Sequence, residues 1–123
     1  MKKLLLIFTI LFSITVFSQK ESNGKLYIEH PAIEIVNQFN EAYVSGDLDK
    51  LKELVTDNFQ VLTLRNRETN DINWILGTSN YLSKNIIDLE IKHYGGSYPD
   101  VLEYKQDGIL DVKTYEWLTG YDK

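Results

Sequence analysis

Ala32, Ile35, Val36, Phe39, Ala42 and Tyr43 recur at i, i+3, i+4, i+7, i+10 and i+11. That spacing draws one apolar stripe along an α-helix, with Glu34, Asn37, Gln38, Glu41 and Ser45 opposite it. Pro31 suits the first helical position, where a backbone N–H has no partner to lose. Gly46 suits the left-handed residue that ends such a helix. Asp47 then caps a second, short helix whose buried side is Leu48, Leu51, Leu54 and Val55. Past "TDN" the period changes to two. "FQVLTLRN" (59–66) predicts a strand, and "RNRETNDIN" (65–73) a polar loop. "WILGTSNYLSKNII" (74–87) reads as a short apolar element at Trp74–Leu76, a break at Gly77, and a brief helix from about Ser79. "DLEIKHY" (88–94) alternates, with Leu89, Ile91 and His93 on one face. "VLEYK" and "ILDVKTYEWL" flank "QDG", and Asp107-Gly108 is a hairpin signal. The closing "EWLTGYDK" reads as a strand end running into a turn.

Helices come first and strands after, an order that indicates α+β rather than a parallel βαβ sheet. The expected arrangement is one curved antiparallel sheet wrapped around the long N-terminal helix as a cone.

The first residues, "MKKLLLIFTILFSITVFS", change the picture of where the protein works. Lys2 and Lys3 form a basic start, Leu4–Phe17 is almost wholly apolar, and Val16 and Ser18 are small enough for a signal-peptidase site. A membrane span needs about 20 apolar residues, and this run is shorter. Residues 1–18 are therefore expected to be a signal peptide, 19–30 a tether and 31–123 a single domain, secreted or periplasmic, with no stable membrane anchor after cleavage. Removing 18 of the 123 residues leaves 105, enough for one core and not two. It also removes two lysines and no acids, taking the net charge from −5 to −7. So acidic a chain is a poor partner for nucleic acid or anionic lipid. There is no cysteine, so packing alone must hold the fold.

Several stretches resemble the SnoaL-like, or nuclear-transport-factor-like, α+β cone. These are "IVNQFNEAYVSGDLDKLKELVTDNFQVL", "YGGSYPDVLEY" and "VKTYEWLTGYDK", and together the resemblance spans residues 31–123. It implies a cone whose mouth takes a small apolar or amphipathic molecule, with dimers formed through the open sheet face. It also implies one or two further strands beyond Lys123, with "TGYDK" as the turn before them, so that the domain is expected to be truncated at its C-terminus. Members of that family include isomerases, polyketide cyclases and dehydratases as well as non-enzymatic binding domains, so the fold alone selects no chemistry.

Polar residues on apolar strand faces are the places to look for chemistry. If "ILDVKTYEWL" is one strand, Leu110, Val112, Thr114, Glu116 and Leu118 share a face, and Glu116 is the intruder. A carboxylate among apolar groups can serve as acid or base, although a solvated or paired position at a strand end is the commoner fate. His93 extends the face of Leu89 and Ile91 and is the candidate imidazole base. His93 and Glu116 are the candidate catalytic pair. Asp100 and Asp57 read better as turn residues. The candidate ligand-binding set is Phe39, Tyr43, Trp74, Tyr104 and Thr114, and Tyr115 and Trp117 are the candidate interface residues. With two histidines and no paired-ligand spacing, neither metal nor another cofactor is expected. Three functions stay open. These are a small-molecule-binding domain, a cofactor-independent isomerase, cyclase or hydratase, and a dimerisation or interaction module.

Overall fold

The computed structural model describes residues 22–95 and 99–123. The signal-peptide stretch, 1–18, lies outside the described residues. Among these, the order is β1 (Gly24–Tyr27), α1 (Pro31–Ser45), α2 (Leu48–Glu53), β2 (Val61–Thr63), β3 (Glu68–Asn70), α3 (Ile72–Asn85), β4 (Ile86–His93), β5 (Asp100–Tyr104), β6 (Leu110–Lys113) and β7 (Glu116–Asp122). The chain is α+β. Among the described residues its strands form three antiparallel sheets, β1-β5-β6, β2-β3 and β4-β7, none of them closed.

α1 begins and ends as its sequence dictates. Pro31 opens it, and His30 Nδ1 accepts the Ala32 N–H at 3.1 Å. Gly46 ends it at φ 76°, in the left-handed region. A side chain there would also strike the Ser83 hydroxyl of α3, so the close approach of the two helices requires glycine. Asp47 caps α2 by accepting the Lys50 N–H at 3.0 Å. Ala42, Leu51 and Ile75 form the buried centre, with Phe39, Tyr43, Leu48, Phe59, Val61, Ile72 and Leu76 packed around it. Ser79 is fully buried and donates to the Tyr43 carbonyl at 2.7 Å, so the one buried hydroxyl among the described residues ties α3 to α1.

Four expectations are corrected. The loop expected over 65–73 contains a return strand, β3, which pairs Leu62 with Thr69 and leaves only residues 61–63 of the expected longer strand in the ladder. α3 is one continuous helix through Gly77, since a lone glycine costs a helix only about 1 kcal/mol, and Asp71 caps it by accepting the Asn73 N–H. "ILDVKTYEWL" is two strands, not one. β6 ends at Lys113 as the third strand beside β5, and after Thr114-Tyr115 the chain leaves for a different ladder with β4. "TGYD" is strand rather than turn, since β7 stays paired to β4 as far as Ile86↔Asp122. That pairing crosses an irregularity between Ile87 and Glu90, where Asp88 takes φ 53°. Residues 24–27, within the expected tether, form β1 against β5. The Asp107-Gly108 hairpin forms as read, with Gly108 at φ 69°.

Candidate functional site

The two faces of α1 meet different partners. Its apolar stripe packs on α2, α3 and β2, with the Phe39 and Phe59 rings 6.1 Å apart. Its polar side does not simply face solvent. Glu34, Asn37, Asn40, Glu41 and Val44 form one wall of a cleft of about 370 Å³, and Glu90, Ile91, His93 and Glu116 of β4 and β7 form the other.

Strand pairing places the chemistry. His93 and Glu116 are direct partners in the β4–β7 register, so alternation puts both side chains on the face towards α1. The Asn40 amide donates to Glu116 Oε2 at 2.9 Å. The other carboxylate oxygen, Oε1, lies 3.8 Å from His93 Nδ1. The Glu116 side chain is only 15% exposed, whereas the imidazole is 49% exposed. A helix amide thus fixes one carboxylate oxygen and leaves the other facing an imidazole that solvent can reach. At 3.8 Å the imidazole is a close neighbour rather than a hydrogen-bond partner, and both groups face the same open cleft. The surroundings of Glu116 are largely polar, and it sits paired at the start of β7 rather than among the side chains of an apolar strand face. The cause is the split of "ILDVKTYEWL" into two ladders.

The other sequence-predicted residues do not converge on this cleft. Phe39 and Tyr43 pack against the helical core, and burial pushes the Tyr43 hydroxyl above its ordinary pKa. Trp74 is exposed on α3. Thr114 is half-buried in the β6–β7 connection. Tyr104 lines a hollow of about 520 Å³ beside β1 and β5, with Lys25, Glu103 and Lys105. That hollow holds no imidazole, and its carboxylate, Glu103, already accepts the Tyr27 hydroxyl at 2.6 Å. This hydrogen bond, followed by burial and the carboxylate's charge, raises the Tyr27 pKa. Tyr115 and Trp117 are exposed on the reverse face of the β4–β7 pair. Asp100 opens β5 opposite Lys113, and Asp57 is exposed in a turn.

Sequence reasoning missed Asn37 and Asn40. A signal was present, since asparagine is a poor residue for a helix interior and two of them sit three residues apart on one side. Among the described residues no cluster of three or more His, Cys, Asp or Glu side chains could hold a metal ion. Nor is any described helix long and apolar enough to cross a membrane. Comparison with family models, with curated proteins and with solved structures gave no match. What the cleft can do therefore rests on its own geometry.

Proposed function

We propose that the protein binds a small amphipathic molecule in the cleft between α1 and the β4–β7 pair, as a secreted or periplasmic domain. The observation that carries this reading is the Glu116 carboxylate, largely shielded, anchored by Asn40 and aimed at His93 inside an open cavity. A few convergent polar groups in a concave site are what orient a small ligand. The cleft supplies an acceptor in Glu116, amides in Asn37 and Asn40, and an apolar contact in Ile91 and Val44. The resemblance to the SnoaL-like cone points to the same class of ligand, and the cone geometry belongs to this proposal with it.

The test is a thermal-shift screen of small amphipathic molecules against the wild-type chain and the double variant Asn40→Ala/Glu116→Gln. Ligands are expected to stabilise the wild type and to lose roughly tenfold or more in affinity for the variant, the scale of a lost hydrogen bond to a charged group. Equal affinity for both proteins would place the ligand elsewhere and end this reading.

The 3.8 Å approach of His93 to Glu116 favours a second reading, a cofactor-independent isomerase, cyclase or hydratase in which the pair moves a proton. Turnover that survives both Glu116→Gln and His93→Gln would remove it.

A further inference from the structure

On the face of the β4–β7 pair turned away from α1, three aromatic side chains stand together. The register that sets His93 against Glu116 sets Lys92 against Trp117. It continues outward as the Tyr94 N–H donates to the Tyr115 carbonyl at 2.8 Å. Alternation therefore gathers Tyr94, Tyr115 and Trp117 on one side. All three are more than half exposed. Together with Glu116 they line a hollow of about 210 Å³. The Tyr94 and Trp117 rings lie 5.6 Å apart between centroids and are inclined at 59°. They meet as two walls of a corner, not as a flat platform.

Shape and charge select the occupant. A pyranose ring stacks on one flat, open aromatic face. A compact tetrahedral cation touches two or three inclined faces at once, and each face turns its negative quadrupole towards the positive charge. The resident ammonium on this side, Lys92, is held by the Glu90 carboxylate. Glu116 is also among the residues that line the hollow, and the chain as a whole carries a net charge of −5. With Lys92 held by Glu90, the net negative charge of the chain favours a cation.

We propose that the corner formed by Tyr94, Tyr115 and Trp117 binds an alkylated ammonium group, of the kind carried by a trimethylammonium headgroup. The site is separate from the cleft against α1 and does not depend on that cleft's ligand.

The test uses the full chain carrying Trp74→Phe, so that fluorescence reports Trp117 alone. It is titrated with choline and, in parallel, with 3,3-dimethylbutan-1-ol, the uncharged isostere of choline. Choline is expected to quench or shift Trp117 with a dissociation constant of roughly millimolar order, and the alcohol to bind at least about tenfold more weakly. Tyr115→Leu should weaken choline binding by roughly threefold to tenfold, the scale of one aromatic–cation contact. Trp117→Ala, followed by NMR, should remove the binding with the circular dichroism spectrum intact. Asn40→Ala should leave choline binding in place even where it removes the cleft's ligand, so the two proposals fail separately. Equal binding of the alcohol, binding of a cello-oligosaccharide in place of choline, or no saturation at tens of millimolar would each overturn the assignment. So would a dimer that Trp117→Ala converts to monomer, because a second copy would then be the occupant.

Discussion

The helical end and the β4–β7 pair are built from similar proportions of apolar residues but use them differently. Around Leu51 three helices close on one another, with Phe59 and Val61 packed against them, and Leu51 has no exposed surface. Along β7, Trp117, Leu118 and Tyr121 remain largely open, and among the described residues the strand has a single neighbour, β4. The difference shows which apolar groups are packed and which are left open. Apolar groups around Leu51 pack on each other, although Ile35, Trp74 and Tyr81 stay open on the helical surface. On β7 the apolar groups stay available to a ligand or a partner, while one polar carboxylate, Glu116, is drawn inward.

The sharpest way to break this contrast is a pair of truncations followed by chemical denaturation. Leu51→Ala is expected to cost roughly 2–5 kcal/mol, because it removes buried methyl groups and leaves a cavity. Leu118→Ala, at an exposed position, should fall within about 0.5 kcal/mol of wild type. Comparable losses in both would mean that the β7 face is covered in solution.

Next in size is Gly46→Ala, expected to cost about 1–2 kcal/mol for the left-handed backbone alone. The clash with Ser83 adds to this, so combining it with Ser83→Gly should recover part of the loss in thermal denaturation. If Gly46→Ala is silent, α1 and α3 do not approach as described. A smaller effect, about 1 kcal/mol, is expected for Asp47→Ala through loss of the α2 cap, again read from thermal unfolding.

The smallest effect is one of pH. Burial raises the Tyr43 pKa in the folded chain above its value when unfolded. The corresponding stability is complete below the unfolded tyrosine pKa and is lost as pH rises through the folded one. Stability measured across the alkaline range should therefore decline less steeply in Tyr43→Phe than in wild type. Identical slopes would mean that the Tyr43 hydroxyl is solvated in the folded state.

The helical end was legible because its signals are local. Pro31, Gly46 and Asp47 sit at helix ends, and the i, i+3, i+4 stripe names its own buried face. The sheets were less so, because pairing is decided at long range. Nothing between Leu110 and Leu118 announces that the chain changes ladders at Thr114-Tyr115; that depends on β4 offering an edge to β7. The same long-range pairing brings His93 opposite Glu116, two residues that the sequence marks separately as polar intruders. Asn40 was missed because the polar side of an amphipathic helix is ordinarily read as solvent-facing, and here it faces β4 and β7.

The proposed function requires that polar side of α1 to be one wall of a binding cleft. The most direct measurement is amide chemical-shift mapping during titration with the small molecule that most stabilises the wild-type chain. The cleft predicts shifts concentrated at Asn37, Asn40, Glu41, Ile91, His93 and Glu116, and their disappearance at the same ligand concentrations in Glu116→Gln. Shifts confined to Gly24–Tyr27 and residues 103–108, unchanged by Glu116→Gln, would contradict it and move the site to the hollow beside β1 and β5.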